Sequence, residues 1–192
     1  MKALSVVCAL ALTLSPLLMK TVLAAEVNCP EAWNKMIDLA KVGDFDTYRT
    51  LTTMTSPQFS YQSTTTIKTT YEEVSADHLT SKIETTVDSN PYPVQAFTLN
   101  RDQFIKNCEH PQSSPDMVII AQGNEQVSVP AGNFNCTFTK FRLNSNNTIT
   151  EVMNDMTQLP TGYSLRVKST SETTMPGNMK NTSVTELIDY RH

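Results

Sequence analysis

The sequence lacks the short motifs around which many catalytic and metal sites are built. It contains no G-x-S-x-G, no C-x-x-C and no H-x-x-x-H pattern, so neither an activated serine nor a zinc site is indicated. The three histidines, His78, His110 and His192, lie in polar or terminal contexts without partners in the pattern, as is usual for solvated loop residues. We therefore expect no catalytic residue, no metal, no cofactor and no enzymatic activity.

The acidic residues and the cysteine thiols do not add a recognisable site. Asp44 and Asp46 weakly resemble the start of a calcium loop, but the glycine and the distal glutamate of such a loop are missing. Glu72 and Glu73 flank a predicted strand end, where a charged pair most simply keeps a turn soluble. Cys136 has no neighbouring cation or helix N-terminus to activate its thiol, which favours a structural role.

An excess of positive charge is missing as well. The chain carries 15 Lys and Arg against 19 Asp and Glu, a formal net charge of -4, whereas a nucleic-acid-binding protein is expected to show a basic excess or patch. We therefore expect no nucleic-acid partner. Glycine is sparse and threonine is frequent. Because threonine is β-branched and suits half-buried strands, the composition favours an all-β or a β-rich α+β domain.

Only the first residues form a long apolar run. Met1 and Lys2 give a positive start, an apolar stretch follows, and Val22, Leu23 and Ala24 give a small-residue exit, which is typical of a secretory signal peptide. We predict that residues 1–24 are this signal peptide, cleaved after Ala24 or alternatively after Ala25. No second apolar stretch is long enough to span a bilayer. Without a linker or an internal repeat, residues 25–192 are predicted to form a single β-rich domain.

The cysteines left after cleavage are Cys29, Cys108 and Cys136, an odd number in an oxidising compartment. One disulfide and one free thiol are therefore expected. The residues alone leave the pairing open. We predict Cys108–Cys136, which closes the smaller loop, whereas a bond from Cys29 to either of them would attach the N-terminal helix to the sheet.

One helix is indicated near the start of the predicted domain. Pro30 and Glu31 suit a first helical turn, and Gly43 suits a helix end. Between them Trp33, Met36, Ile37 and Ala40 follow helical spacing. We expect Trp33 to fix this helix against the sheet.

Most of the remaining chain alternates apolar and polar residues with a period of two, which predicts antiparallel strands with one buried face. We expect a helical turn or loop at 101–108, a polar loop at 110–115, and turns at Glu72–His78, Asn90–Pro93 and Gly123–Asn124. The stretch Val129–Phe141 predicts a turn that leads into a strand, with Phe134 and Phe138 facing the core. The predicted strands are 44–53, 59–71, 79–88, 94–99, 117–121, 125–129, 134–141, 148–156, 164–170 and 183–190.

The C-terminal third carries an ordered series of segments. A V-P-A-G-x-F turn and strand precede a proline-containing turn, a basic strand and a final strand that ends in Tyr. The residues of this pattern are Val129, Pro130, Ala131, Gly132, Phe134, Pro160, Val167, Lys168, Glu186, Leu187 and Tyr190. With this pattern the chain resembles bacterial envelope proteins of the DUF3108 and LolA-like (lipoprotein-carrier-like) kind. The front half of the chain agrees only in its strand pattern.

This resemblance implies a strongly curved antiparallel sheet, a half-open barrel with an N-terminal helix, in the Gram-negative periplasm or otherwise secreted. It implies a non-catalytic protein that holds a lipid or a lipidated protein on a concave apolar face. The alternatives are a filled core without a ligand and an envelope protein that docks a protein partner through a sheet edge. The candidate ligand-binding residues are Phe59, Tyr61, Ile67, Ile83, Phe134, Phe138, Leu165 and Val167.

Overall fold

The computed structural model describes residues 28–109, 116–145 and 148–192. The predicted signal peptide and the predicted loop at 110–115 lie outside these residues. The helices are α1 (Cys29–Leu39) and α2 (Arg101–Glu109). The strands are β1 (Phe45–Thr55), β2 (Ser60–Val74), β3 (His78–Val87), β4 (Asn90–Pro91), β5 (Gln95–Asn100), β6 (Asp116–Val129), β7 (Gly132–Ser145), β8 (Thr148–Gln158), β9 (Ser164–Met175) and β10 (Met179–Arg191).

The predicted N-terminal helix is confirmed as α1, and its start has a simple cause. The side-chain oxygen of Asn28 accepts a hydrogen bond from the Glu31 N–H at 3.1 Å, which caps a free donor of the first turn. Pro30 occupies a position of that turn where no backbone donor is needed. The ambiguous segment after β5 is also a helix, α2.

The described strands form a single antiparallel sheet that does not close into a barrel. Its order is β4-β3-β2-β1-β10-β9-β8-β7-β6, and β5 pairs with β3 beside β4. Two meanders, β1–β5 and β6–β10, therefore meet where β1 pairs with β10. The predicted fold class, mostly β with an unclosed, strongly curved sheet and an N-terminal helix, is confirmed.

Irregularities in strand pairing accompany the curvature. The register shifts between Thr47 and Tyr48, between Ile119 and Ala121, and between Asp155 and Met156, and such bulges bend and twist a strand locally. The turn between β6 and β7 folds back onto β10, where the Ala131 N–H donates to the Leu187 carbonyl at 3.3 Å.

The predicted turn at Gly123–Asn124 is wrong, because β6 runs through both residues without interruption. Gly123 pairs with Phe138 on β7. The Phe138 ring lies over the glycine so closely that an added Cβ would be 2.8 Å from its Cε1 atom. The glycine here makes room for an aromatic ring of the neighbouring strand.

The predicted Cys108–Cys136 bond is also wrong, although one disulfide and one free thiol are confirmed. The disulfide joins Cys29 to Cys108, with an S–S distance of 2.06 Å, and so links α1 to α2. Cys136 is a buried free cysteine that packs with Val127 and Val167 in a different part of the core. Burial is the main cause that raises the pKa of its thiol to about 11, so the thiolate form is suppressed.

Neither helix of the described residues has both the length and the apolar character needed to cross a bilayer.

Candidate ligand cavity

The two helices form a lid over one face of the sheet. The Trp33 ring is fully buried and packs against the Phe104 ring of α2, with their centroids 5.4 Å apart. Trp33 Nε1 donates to the Ala76 carbonyl in the β2–β3 turn at 2.7 Å. Together with the Cys29–Cys108 bond, these contacts fix both helices against the end of the sheet where β3 begins.

A cavity of about 300 Å³ lies between this lid and the sheet. Its apolar wall is shared by both helices and by the strands β3, β5 and β9. The wall residues are Met36, Leu39, Leu79, Ile83, Phe97, Leu99, Phe104 and Leu165. This volume is at the lower end of the roughly 300–1,000 Å³ usual for small-molecule sites.

Three tyrosines, Tyr48, Tyr71 and Tyr163, line the cavity. The hydroxyls of Tyr71 and Tyr163 lie 2.9 Å apart and share a hydrogen bond, and the Tyr48 hydroxyl donates to the Arg166 carbonyl at 3.0 Å. Burial raises the pKa of all three, that of Tyr71 to about 12. These groups are therefore neutral hydrogen-bonding groups at physiological pH.

Asp46 is the ionisable acid in the wall. Burial raises the pKa of its carboxyl group to about 6, against the opposing effect of the Arg166 guanidinium. The same guanidinium lies over the Tyr48 ring, 4.9 Å from its centroid. The wall thus combines an apolar surface with one carboxyl group, which can be either protonated or charged near neutral pH, and with the basic side chains of Lys35 and Arg166.

His192 packs against Tyr163 on the polar side of the cavity wall. Its imidazole stacks on the Tyr163 ring with the centroids 3.9 Å apart, and its Nδ1 lies 3.8 Å from an Asp44 oxygen. The side chain is 1% exposed. Burial lowers the pKa of this imidazole, opposed by Asp44. The predicted solvated character of His192 is therefore wrong.

Two of the eight predicted ligand-binding residues, Ile83 and Leu165, line the cavity. Ile67 is buried beside it and pairs with Tyr48. Phe59 and Tyr61 lie elsewhere, at the opposite end of the sheet, and are 50% and 56% exposed.

The other three predicted residues lie in the meander β6–β10, with Phe134 and Phe138 on β7 and Val167 on β9. Phe134 packs against Tyr190 with ring centroids 5.9 Å apart. Val167 is fully buried next to Cys136. Phe138 covers Gly123. None of the three lines the cavity.

Sequence reasoning missed the polar residues of the wall. Asp46, Tyr48 and Thr50 alternate with Phe45 and Thr47 in the predicted first strand, which places the carboxyl group and the tyrosine on one face. That alternation is the signal that Asp46 and Tyr48 share a face, but it does not show that the helices cover them. Among the described residues, no group of three or more His, Cys, Asp or Glu is placed to hold a metal ion.

Comparisons with known proteins give no family. No protein-family model matches the chain, and no curated protein matches it.

Some solved structures are similar in shape. A Bacteroides fragilis protein with a YmcC-like fold is 11% identical, with a TM-score of 0.40, and the match covers 79% of this chain and 97% of that one. An S-type phycobiliprotein lyase from Guillardia theta is 9% identical, with a TM-score of 0.30 and coverage of 83% and 93%. A DUF1329 family protein from Desulfovibrio piger is 6% identical, with a TM-score of 0.30 and coverage of 88% and 94%. Likenesses at these TM-scores carry no conclusion about activity.

Proposed function

We propose that the chain is a non-catalytic periplasmic protein that binds a lipid or another hydrophobic ligand in the cavity beneath α1 and α2. The observation that carries this proposal is the combination of an apolar wall with the Asp46 carboxyl group and the tyrosine hydroxyls. Few polar groups in a mostly apolar cavity are typical of small-molecule sites. The disulfide fits an oxidising compartment outside the cytoplasm.

The cavity volume limits the ligand. About 300 Å³ suits one acyl chain or one compact apolar molecule better than a lipid with several chains. The resemblance to LolA-like carriers supports the same class of ligand. A lipidated protein would then insert a single chain beneath the helices.

The test is binding of an apolar fluorescent probe, together with native mass spectrometry of protein purified from the periplasm. Ser81 lines the cavity and is 2% exposed, so Ser81→Leu places a larger side chain toward the ligand space. Thr80→Leu is the matched control, since neighbouring residues of a strand point to opposite faces. We expect Ser81→Leu to weaken probe binding at least about tenfold, which corresponds to about 1.4 kcal/mol, and Thr80→Leu to leave it unchanged.

Gln103 offers a second variant from the helix side of the cavity, should Ser81→Leu fail to fold. Gln103→Trp is expected to block the probe while circular dichroism stays unchanged. Failure of the wild-type protein to bind the probe, with no lipid co-purifying, would count against a ligand cavity.

A protein partner at the sheet edge is the second candidate function. β6 is an edge strand among the described strands, and its Val118 and Ile120 are exposed. An edge strand can accept a strand from another protein. In-cell crosslinking from a photoreactive residue at position 120 tests this, and recovery of only uncrosslinked monomer would refute it.

A further inference from the structure

The charged groups of the cavity wall lie toward one end of the cavity. Asp46 belongs to β1, and Arg166 belongs to the first residues of β9. Lys35 lies one helical turn before Leu39 on the same face of α1. Leu39 lies over the β8–β9 turn, with its Cδ2 atom 3.8 Å from the place that a Cβ would take on Gly162. The three charged side chains therefore approach the cavity from β1, β9 and the part of α1 that faces them.

The other end of the cavity supplies apolar surface. It is formed by β3, β5 and α2, which carry the side chains of Leu79, Ile83, Phe97, Leu99 and Phe104. In the sheet, β5 pairs with β3 and is three strand positions away from β1, which corresponds to roughly 14 Å. A ligand that contacts both ends therefore has a polar head group and an elongated apolar tail.

Positive charge exceeds negative charge in the cavity wall. Lys35 and Arg166 are basic, and Asp46 is the one acid; no other Asp, Glu, Lys, Arg or His of the described residues lines the cavity. Burial disfavours the charged form of Asp46 and raises its pKa to about 6. The chain as a whole has a formal net charge of -4. The cavity is therefore a locally positive site in an acidic protein, and it favours an anionic head group.

Arg166 is placed to bind such a head group. Its guanidinium lies 4.9 Å from the centroid of the Tyr48 ring, and its backbone carbonyl accepts a hydrogen bond from the Tyr48 hydroxyl at 3.0 Å. The same tyrosine therefore contacts both the backbone and the side chain of Arg166. A guanidinium presents its N–H groups in a planar fork that matches the oxygens of a carboxylate or a phosphate.

A tyrosine pair adds a neutral donor beside the charged groups. The hydroxyls of Tyr71 and Tyr163 share one hydrogen bond of 2.9 Å, so the hydroxyl that accepts in this bond keeps its own proton for another acceptor. Asp46 is near enough to raise the pKa of both tyrosines, and Arg166 is near enough to lower that of Asp46. These groups therefore form one cluster in the cavity wall.

Lys35 completes the cluster from the helical side. Its side chain is exposed although it lines the cavity, and it forms no ion pair with any of the described residues. A lysine can lay its apolar stem along an apolar surface while its ammonium group stays at the solvent boundary. This ammonium group would repel a cationic head group and attract an anionic one.

From these observations we propose that the cavity binds a single-chain amphiphile with an anionic head group, a carboxylate or a phosphate. Arg166 and Lys35 bind the head group, and the chain lies toward β3 and β5. The inference rests on the proposed function, because it names the class of ligand for the same cavity. Asp46 opposes binding of the anion when it is charged and so limits the affinity.

The test compares head groups on one chain. Dodecanoate, dodecyl phosphate, dodecanol and dodecylammonium compete with the apolar fluorescent probe, each below its micelle-forming concentration and at about pH 8, where Asp46 is charged. We expect at least one of the two anions to displace the probe at a concentration at least about tenfold lower than dodecylammonium does. The tighter of the two anions identifies the head group as a carboxylate or a phosphate.

Charge variants show which side chains bind the head group. Arg166→Gln should weaken binding of the anion roughly tenfold, and Lys35→Gln should weaken it roughly threefold, since an exposed pair is partly screened. Both should leave dodecanol binding unchanged. Asp46→Asn should strengthen binding of the anion. Lys41→Gln is the matched control, because Lys41 is an exposed lysine just beyond α1 that does not line the cavity.

The outcomes separate this inference from the proposed function. Dodecylammonium that binds as tightly as both anions would overturn the inference, as would equal effects of Lys35→Gln and Lys41→Gln. Should Arg166→Gln fail to fold, Lys35→Gln still decides, because its side chain is exposed. A probe that binds the wild type without any preference among the four head groups refutes the inference and leaves the ligand cavity intact. A wild-type protein that binds no probe refutes both.

Discussion

Removal of the Cys29–Cys108 bond should destabilise the protein strongly. The two cysteines are 79 residues apart in sequence, and the loop-closure entropy for such a separation corresponds to about 4.5 kcal/mol at 25 °C. This value lies within the range of about 2–5 kcal/mol that is typical for removal of a native disulfide from a small domain. For a domain of this size, about 4.5 kcal/mol lowers the midpoint of thermal unfolding by roughly 9–18 °C.

The assay uses the single tryptophan of the chain. Trp33 is fully buried between α1 and α2, so its fluorescence reports whether the helical lid is in place, and circular dichroism reports the sheet. The Cys29→Ser/Cys108→Ser variant should unfold at the lowered midpoint, and reduced wild-type protein should behave in the same way.

Cys136→Ala is the control, since Cys136 is the buried free thiol. It should keep the sensitivity of the wild type to reductant. If Cys136→Ala instead removed that sensitivity, or if peptide mapping recovered Cys108 linked to Cys136, the assignment of the bond would be refuted. A midpoint that does not respond to reductant would refute the stability argument itself.

Three further predictions concern single side chains. The folded-state pKa of Asp46, about 6, lies above its ordinary value of 3.8. This carboxyl group therefore makes the unfolding free energy fall as pH rises from about 4 to about 6. Asp46→Asn should flatten that pH dependence in urea unfolding curves, and an unchanged slope of unfolding free energy against pH would contradict the burial argument. Trp33→Phe should cost about 2 kcal/mol in urea unfolding followed by circular dichroism, because it removes the donor to the Ala76 carbonyl. Gly123→Ala should lower the unfolding free energy by about 1 kcal/mol, because the Phe138 ring must move. Adding Phe138→Leu should recover part of this lost stability, whereas simple addition of the two single-variant effects would show that the two residues do not interact.

The local pattern of apolar and polar residues was sufficient to predict the elements that pack against their neighbours in sequence. The alternation in β2 and β3 predicted both strands and the hairpin between them, and Pro30 with Glu31 predicted α1. The second helix remained ambiguous because it has only nine residues. Its buried residues are Phe104 and Cys108, one helical turn apart, and this is too weak a pattern to separate a helix from a loop.

Contacts between distant segments were not predictable in this way. The disulfide partner of Cys108 depends on how α1 packs against α2, and loop length carries no information about that packing. Gly123 has the composition of a turn, but the space it provides is filled by a ring from the next strand. Asp46 forms part of a site only because the helices cover it, so its role depends on tertiary structure that no local window contains.

The pairing of β1 with β10 has a consequence for how the protein folds. Phe45 pairs with Arg191, so the seam between the two meanders joins segments from nearly opposite ends of the described chain. Contacts of such large sequence separation slow folding, because the entropy of closing the loop is lost before the contacts form. During synthesis, each meander can form hairpins early, but the seam between them cannot form until β10 has been made. Until then β1 has one unpaired edge, and this interval is when a chaperone that shields strand edges would matter most.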